Sequence, residues 1–361
     1  MTTVTMQGIR EKVGRGERLT FEDGVFLYGA PLIEVGELAN EVRERKNGNV
    51  AYWVSNRHLN YSNVCVLTCL FCAFARKPGE EGAYEYSLEE AFRKAEELKG
   101  TNATEIHIVG GLHPDLPWEY YTDLLRGIKA RMPHLHLKAF TAVEIDFFAR
   151  TFGKTVEQVL RELVEAGLDS LPGGGAEMFS ERVRKKVCKF KITGDEWKSI
   201  HRAAHGLGLR STATMLYGHI ETPADCVDHM LQLRELQDET GGFTAFIPLL
   251  FHPENSLLSH IRKSSGLLDL RHIAVSRLLL DNFAHIKVYW IMTGTRVAQV
   301  ALSFGADDMD GTVREEKITH MAGATSPQGL TEDDLMALIR EARREPVQRD
   351  TVYRSLEAVH A

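Results

Sequence analysis

The sequence predicts a parallel α/β fold, a (β/α)8 TIM-type barrel, from three observations. Short strand-like runs alternate with amphipathic helical runs from about residue 58 to residue 325, which is the pattern of a parallel sheet covered by helices. About eight strand–helix units can be counted, and this number favours a closed barrel over an open doubly wound sheet. The chain has 361 residues, 43% of them hydrophobic, which suffices for a barrel of roughly 250 residues with extensions.

Five of the strand-like runs are short and rich in β-branched or aromatic residues, as buried parallel strands tend to be. They span residues 104–109, 136–140, 211–215, 243–247 and 286–291. An earlier strand is expected to lead into a cysteine-rich loop, and the last strand is expected near Gly305.

The helices between these strands carry start and stop signals. Ser87, Thr155 and Thr193 each precede an acid or amide three residues later, which predicts capping boxes. Thr222 is followed by Pro223, and proline is favoured at the first helical position. The glycines expected to end helices are Gly100, Gly167 and Gly241.

Three segments are expected along the chain. Residues 1–50 predict an N-terminal helical cap, and residues 51–325 form the barrel. Residues 326–361 predict a C-terminal helical extension packed on the barrel, with Thr331 capping its helix and a polar, Arg-rich tail behind it. No low-complexity linker or internal repeat stands out, so we predict one domain with an additional segment at each end.

The charge balance excludes some classes of protein. Lys and Arg number 43 against 50 Asp and Glu, so the basic excess typical of nucleic-acid binding is missing. No stretch approaches the roughly 18 consecutive apolar residues of a membrane span, and residues 1–10 lack the apolar core of a signal peptide. We therefore expect a cytoplasmic protein that binds neither nucleic acid nor membrane. Its oligomeric state is not predicted.

The most informative motif is the C-x3-C-x2-C loop of Cys65, Cys69 and Cys72. Three thiols can ligate three irons of a 4Fe-4S cluster, which a fourth cysteine usually completes. Cys188 and Cys226 are isolated and far along the chain, so one iron would be open to another ligand. Five cysteines with three clustered do not suggest a disulfide framework, and an oxygen-sensitive cluster suits a reducing compartment.

Two simpler interpretations of this motif are possible. They are a zinc site of three cysteines and a histidine, and three buried structural thiols. Zinc loops usually carry cysteine pairs on two separate segments, and no second pair exists here. A zinc-stabilised binding module and a non-catalytic iron–sulfur electron carrier are therefore the competing functional classes. Carriers normally use a complete set of cysteines.

Glycines and polar residues follow the predicted strands, at the end where parallel barrels place their active sites. Glycine pairs allow close approach of backbone to a ligand, although a tight turn is the alternative. A carboxylate at such a position either contacts a ligand or caps the next helix, and histidines there are candidate acid–base groups. The candidates are Gly110, Gly111, His113, Thr141, Glu144, Gly174, Gly218, His219, Glu221 and His252.

Longer segments match one known family. They include Asn-Tyr-Ser-Asn-Val-Cys at 60–65, Gly-Gly-Leu-His-Pro-Asp-Leu-Pro at 110–117, Leu-Pro-Gly-Gly-Gly-Ala-Glu at 171–177 and Tyr-Gly-His-Ile-Glu-Thr at 217–222, with further matches at 72–76, 138–144, 248–255, 304–312 and 315–318. With its cysteine loop, the chain resembles the radical S-adenosylmethionine (SAM) superfamily, and within it the aminofutalosine synthase family of menaquinone biosynthesis. Cyclic dehypoxanthinylfutalosine synthase and the deazaflavin synthase subunit share much of the pattern and are the alternatives. The departures are Leu70, Ser256, and Leu112 in place of the superfamily's Glu.

The resemblance implies a cofactor site. Cys65, Cys69 and Cys72 would ligate a 4Fe-4S cluster whose fourth iron binds the amino and carboxylate groups of SAM. Phe71 would pack near the adenine. The other residues expected to contact SAM are Gly110, Gly111, Thr141, Glu144, Gly174, Gly218 and Glu221.

The resemblance also implies a reaction. A 5′-deoxyadenosyl radical adds to the enolpyruvyl double bond of 3-[(1-carboxyvinyl)oxy]benzoate, and the adduct rearranges and loses its carboxylate. The products are 6-amino-6-deoxyfutalosine and methionine, and a flavodoxin or ferredoxin is the expected electron donor. Cationic groups should meet the two carboxylates of the substrate, with Arg76, Arg210, Arg296 and His252 as candidates. His252, His113 and Arg76 are the expected catalytic residues.

Overall fold

The structure, a computed structural model, describes residues 4–356 of the chain. Its strands are β1 Val50–Val54, β2 Asn56–Leu59, β3 Glu105–Ile108, β4 His136–Ala139, β5 Ser170–Leu171, β6 Arg210–Tyr217, β7 Phe243–Leu250, β8 His285–Ile286, β9 Asp308–Gly311 and β10 Glu345–Gln348. Its helices are α1 Met6–Gly14, α2 Phe21–Gly29, α3 Leu32–Asn47, α4 Leu88–Glu96, α5 Trp118–Arg131, α6 Ala142–Thr151, α7 Val156–Ala166, α8 Glu181–Val187, α9 Gly194–Gly206, α10 Pro223–Thr240, α11 Gly266–Leu279, α12 Trp290–Thr293, α13 Thr295–Ala301, α14 Ile318–Met321 and α15 Glu332–Glu341.

Seven of the strands form one parallel sheet in chain order, from β2 to β8. Helices connect the successive strands, as parallel neighbours require a crossover. Because every carboxyl end then lies at the same edge, the loops that follow the strands gather around one opening. The predicted parallel α/β class is confirmed.

The two edges of this sheet meet through the segment 308–314. On one side the Val288 N–H donates to the Asp308 carbonyl over 2.8 Å, and on the other the His58 N–H donates to the Arg314 carbonyl over 2.9 Å. The same segment contains β9, which pairs with β1 in a smaller parallel sheet ordered β10-β1-β9. The strands therefore curl into a barrel, as predicted, with this segment in the eighth position.

Most of the predicted helix signals are confirmed. Ser87, Thr155 and Thr193 form capping boxes, and Thr222 caps α10 with Pro223 in its first turn. Such a cap typically stabilises a helix by about 1 kcal/mol. Gly167 and Gly241 end α7 and α10 in the left-handed region, with φ of 113° and 59°, where glycine avoids the steric cost of a side chain.

Two local expectations were wrong. The predicted strand at 286–291 is a strand only over His285–Ile286, because the chain leaves the ladder after Val288 and begins α12 at Trp290. The Trp290 indole donates to the Gly311 carbonyl over 2.8 Å, which holds this turn against the segment 308–314. Gly100 was expected to end a helix, but α4 ends at Glu96 with Glu97 as its C-cap. Strand β10, which pairs in parallel with β1, was not among the predicted strands.

Helices α1 to α3 precede the barrel, and α3 packs on α11. Their buried side chains, which include Leu27, Val35 and Leu38, join the core that surrounds the sheet. Gly36 allows this packing, because a Cβ at that position would lie 2.4 Å from the Phe304 ring. The three-segment division remains a prediction. No helix within residues 4–356 is long and apolar enough to cross a membrane.

Candidate active site

A cavity of about 320 Å³ opens at the carboxyl ends of the barrel strands and extends into the lumen. Its position follows from the parallel topology, which directs all the loops after the strands to one face. Most of the predicted site residues line it. These are Cys65, Cys69, Phe71, Cys72, Gly110, Gly111, Thr141, Glu144, Gly174 and His252.

The cysteine loop after β2 is held in place by its neighbours. The Cys65 N–H donates to the Arg76 carbonyl over 2.9 Å, and the Leu70 N–H donates to the Val187 carbonyl over 2.8 Å. The Lys77 ammonium donates to the carbonyls of three successive residues beginning at Cys65, over 2.9–3.0 Å. The backbone of the loop is therefore pinned, while its three half-buried thiols remain free.

The three thiols are not arranged as a ready-made site for a single zinc ion. Sulfurs around a tetrahedral zinc lie about 3.8 Å apart, since each Zn–S bond is about 2.3 Å. Within residues 4–356, the group that brings three potential ligand atoms within 4.8 Å of one another is Glu221, Cys226 and His272, and not the cysteine loop. The zinc alternative thus lacks support at this loop, and the all-thiolate donor set suits iron and sulfide.

Burial controls the protonation of these thiols. It raises the pKa of Cys69 to about 12 and raises the pKa of Cys72 as well. The bare thiols of Cys69 and Cys72 therefore hold their protons at neutral pH, and a bound metal must displace these protons. Binding at this loop thus releases protons.

The glycine loops bring backbone close to the cavity. A Cβ on Gly111 would lie 2.1 Å from the Val64 carbonyl oxygen, and a Cβ on Gly173 would lie 2.6 Å from the Thr212 carbonyl oxygen. Gly175 adopts a positive φ of 87°, which disfavours other residues. Close packing between loops requires these glycines, and their backbone borders the same cavity as the thiols.

Glu144 fixes the loop after β3 to the start of α6. Its Oε1 accepts from the Tyr61 hydroxyl over 2.9 Å and from the Gly110 N–H over 3.1 Å, while Oε2 accepts from the Thr141 N–H and hydroxyl over 2.7 and 2.8 Å. Burial raises the pKa of Glu144 to about 7. With four protein donors, the carboxylate is a brace beneath the cavity wall as well as a part of its lining.

His252 lines the cavity with both ring nitrogens engaged. Nε2 lies 2.9 Å from the Met292 carbonyl oxygen, and Nδ1 lies 3.1 Å from the Lys263 ammonium. Nε2 must donate to the carbonyl and Nδ1 must accept from the ammonium, which defines a neutral tautomer. Burial, together with the Lys263 charge, lowers the pKa of His252, in agreement with this assignment.

Seven predicted residues do not line the cavity, which are Arg76, His113, Arg210, Gly218, His219, Glu221 and Arg296. Arg76 donates to the carbonyls of Ala73 and Ala75, both over 2.9 Å, so it braces the cysteine loop from behind. His113 is buried and pairs with Glu85 through Nε2.

Gly218 and Glu221 form a closed turn, in which the Gly218 N–H donates to the Glu221 carboxylate over 2.6 Å. Burial alone would raise the pKa of Glu221, but hydrogen bonds and charge from His219 lower it to about 2. Neither Gly218 nor Glu221 lines the cavity.

The arginines expected to meet substrate carboxylates lie elsewhere. Arg210 is exposed at the amino end of β6, opposite the cysteine loop, and Arg296 is exposed on α13. Neither lines the cavity. Sequence position placed Arg296 after a strand, but the turn into α12 changed the direction of that side chain.

Sequence reasoning missed the lysines of the cavity, which are Lys138, Lys191 and Lys287. Lys191 lies beside the cysteine loop, where its ammonium donates to Glu177 over 2.7 Å and lies 5.2 Å from the centre of the Phe71 ring. Lys138 and Lys287 lie within or directly after β4 and β8. A charged residue inside an otherwise apolar strand run was the available signal.

These observations define the class of protein. A parallel barrel whose opening carries a three-cysteine loop beside glycine-rich loops is the arrangement expected of a radical SAM enzyme. Residues 59–233 match the family model of the radical SAM superfamily, and residues 240–361 match the CofH/MqnC C-terminal region. Methylornithine synthase shares the fold, with a TM-score of 0.71 at 18% identity over 94% of this chain and 97% of that one.

The relatives narrow the class further. Aminodeoxyfutalosine synthase from Streptomyces coelicolor is 50% identical over 96% of this chain and 93% of its own length. Its counterpart from Thermus thermophilus is 49% identical over 96% and 95%. A cyclic dehypoxanthine futalosine synthase from Halalkalibacterium halodurans is 39% identical over 97% and 95%. The chain belongs to the radical SAM superfamily, in the family that contains the aminodeoxyfutalosine synthases.

Proposed function

We propose that this chain is an aminodeoxyfutalosine synthase. It would join the 5′-deoxyadenosyl part of SAM to 3-[(1-carboxyvinyl)oxy]benzoate, with rearrangement and loss of the carboxylate, and release methionine. The observation that carries the proposal is the identity of 49–50% over 96% of the chain with two such synthases. The cavity supports it, because thiols, glycine loops and a deep lumen open into one another.

The three cysteines of the loop are the proposed ligands of the cluster, and SAM would complete its fourth iron. When bound, the cluster supplies the electron that cleaves the sulfonium C–S bond of SAM. The backbone at Gly110 and Gly111, with Thr141 and Gly174, forms the adjoining wall and is proposed to contact SAM. Phe71, which lines the same wall, is proposed to pack against the adenine.

The rest of the cavity has to orient the alkene and exclude water. Its wall includes the apolar side chains of Leu249, Phe251 and Met292, which offer no polar hydrogens. Orientation at near contact distance supplies much of the rate in such additions, and a dry wall limits side reactions of a reactive intermediate.

The test is an anaerobic turnover of the reconstituted enzyme with dithionite, SAM and 3-[(1-carboxyvinyl)oxy]benzoate. Aminodeoxyfutalosine and methionine should appear in the mass spectrum. Cys69→Ala should abolish both products and lower the iron content. Cys226→Ala, at a buried thiol that does not line the cavity, should leave the iron content unchanged. Formation of only 5′-deoxyadenosine and methionine would show that the substrate assignment is wrong.

Cyclic dehypoxanthine futalosine synthesis is the second candidate, because a relative of that name is 39% identical over 97% of the chain. Supplying dehypoxanthinylfutalosine in the same assay separates the two. Cyclisation of that compound, without turnover of the benzoate, would favour the alternative.

A flavodoxin or ferredoxin remains the proposed electron donor, and the cytoplasm remains the proposed location. Surface lysines lie close to the cysteine loop, since Lys185 and Lys186 are exposed on α8 and the neighbouring Val187 carbonyl accepts from Leu70. An acidic donor protein would be attracted to such a surface. Slower reduction by flavodoxin in a Lys185→Glu/Lys186→Glu variant, with dithionite reduction unchanged, is the expected result.

A further inference from the structure

The lumen of the barrel has a polar floor below the cysteine loop, formed by His58, His107, Lys138 and Lys287. Barrel interiors are usually filled by branched apolar side chains. Here His58 pairs with His107 across β2 and β3, and His107 pairs with Lys138 across β3 and β4. Residues paired in register project to the same face of a sheet. These three side chains therefore form one row, and Lys287 reaches the same cavity from beyond β8.

Each lysine of the floor is buried with hydrogen-bonding capacity to spare. The Lys138 ammonium donates to Glu105 over 2.6 Å and the Lys287 ammonium donates to Asp310 over 3.0 Å, with side-chain exposures of 6% and 3%. An ammonium group has three N–H donors, and one acceptor is found for each among residues 4–356. Unused donors on buried charges are costly, so a ligand with acceptor oxygens would be favoured here.

The two histidines add further unused groups. Their ring centroids lie 4.6 Å apart, and within the described residues neither ring has a hydrogen-bond partner, although both line the cavity. Burial lowers the pKa of His58 and of His107, so each ring is neutral and offers one donor and one acceptor. The floor therefore presents two ammonium groups, each paired with one carboxylate, and two neutral rings to one space, which Asp310 also lines.

The wall above the floor suits a flat, apolar body. The Tyr289 ring lies parallel to the His58 ring, at an interplanar angle of 8°, and Leu216 and Ile247 line the same cavity. A ligand with an aromatic ring and an acidic end would match the apolar wall and the cationic floor together.

We propose that this floor binds the ring carboxylate of an aryl carboxylic acid, which is the benzoate group of the substrate. The inference rests on the proposed function for the identity of that substrate. Its alkene has to reach SAM at the cysteine loop, and the enolpyruvyl carboxylate is attached to the alkene. The ring carboxylate is the remote end of the molecule, so it lies at the end of the cavity opposite the loop, between Lys138 and Lys287.

The alternative is that Lys138 and Lys287 only form internal ion pairs. A binding comparison separates the two. Dissociation constants of the cluster-reconstituted enzyme are measured by calorimetry for 3-[(1-carboxyvinyl)oxy]benzoate and for its analogue without the ring carboxylate. The wild type should bind the analogue at least tenfold more weakly, as a charge-assisted contact of about 1.5–3 kcal/mol requires. Equal affinity of the wild type for both ligands would overturn the inference without any variant.

Variants then assign the effect to the floor. In Lys287→Gln and in Lys138→Gln, the affinity for the benzoate should fall at least tenfold while the affinity for the analogue stays the same. Lys99→Gln, at an exposed lysine paired with Glu96, should change neither. Equal losses for both ligands in the lysine variants would indicate a structural role only.

Failure of the proposed function has a different signature. If benzoate binding depends on Lys287 but no aminodeoxyfutalosine forms, the anion site is supported and the proposed reaction is contradicted. If turnover is normal and substitution of either lysine leaves benzoate affinity unchanged, the proposed reaction is supported and the anion site is contradicted.

Discussion

At the scale of single residues, the buried polar groups of this chain are paired in ways that set their charge. The clearest case is the pair of Glu316 and His320 at the rim of the cavity. His320 Nδ1 lies 3.1 Å from the Glu316 carboxylate, and Nε2 lies 3.1 Å from the Ser326 carbonyl oxygen. Because both nitrogens face oxygens, the ring is an imidazolium. The hydrogen bond that the ring donates to the Glu316 carboxylate raises the pKa of His320 to about 9.

A pH dependence of stability follows from this pair. The folded-state pKa of His320 lies above its unfolded value, so its contribution is complete below about pH 6.5 and is lost as the pH rises through about 9. The urea concentration at the unfolding midpoint should therefore decrease as the pH rises from about 6.5 to about 9. In His320→Gln this decrease should be smaller. His260→Gln, at an exposed histidine, serves as the control. An unchanged pH profile in His320→Gln would contradict the assignment.

Glu144 gives a second prediction at this scale. An amide at that position would direct its NH2 group at the N–H of either Gly110 or Thr141, since each carboxylate oxygen accepts from one of them. Glu144→Gln should therefore lose about 1–3 kcal/mol of stability when measured by urea unfolding at pH 8. Glu157→Gln, in an exposed pair with Arg161, should stay within about 0.5 kcal/mol. Equal stability of the two variants would remove the bracing role of Glu144.

At the scale of elements, the loops after the strands are packed on one another and depend on missing side chains. The loop after β3 touches the cysteine loop through Gly111, and the Val66 N–H donates to the Leu112 carbonyl over 3.0 Å. The position of the thiols is therefore coupled to the glycine loop next to them.

Gly111→Ala tests this coupling. The added Cβ would lie 2.1 Å from the Val64 carbonyl oxygen, so the cysteine loop has to move. We expect iron incorporation after reconstitution to fall by more than half, together with a lower Tm. Gly206→Ala, on α9 with no atom within 4 Å of the added carbon, should be neutral or stabilising. Full iron incorporation in Gly111→Ala would show that the two loops adjust independently.

At the scale of the whole molecule, residues 345–353 pack against β1, the strand that precedes the barrel, and against β9. Strand β10 pairs with β1, and Arg349 donates to Asp308 on β9 over 2.6 Å. The Tyr353 hydroxyl donates to the same Asp308 oxygen over 2.6 Å. The segment 308–314, which joins the two edges of the barrel sheet, is thereby anchored by the C-terminal segment.

Removing the cation of this pair should destabilise the whole barrel. The side chains of Arg349 and Asp308 are exposed by only 1% and 0%, so Arg349→Ala leaves a buried carboxylate without its partner. The expected loss is about 3–5 kcal/mol in urea unfolding. Arg354→Ala breaks a pair with Asp350 in which the arginine is 79% exposed, and it should change stability by less than about 1 kcal/mol. Comparable losses in the two variants would show that burial does not decide the cost.

The sequence by itself determined the features that depend on local pattern. These features are strand periodicity, helix caps such as Thr193, the glycines that end helices, and the cysteine loop. Each depends on a few neighbouring residues, because its physical cause acts over one or two turns of chain. The parallel alternation then placed the loops after the strands at one opening. This is why most of the candidate site residues lie around one cavity.

Only the tertiary structure decided what depends on distant segments. The ion pairs of the floor lysines and the pairing of β10 with β1 arise from contacts between residues far apart in the chain. Arg76 and Glu221 were missed for another reason, because hydrogen bonds to residues within three positions hold them, and a position after a strand does not reveal such a turn. The burial and partners of a side chain inside the barrel depend on which distant segments meet when the barrel closes. A local sequence pattern does not contain that information.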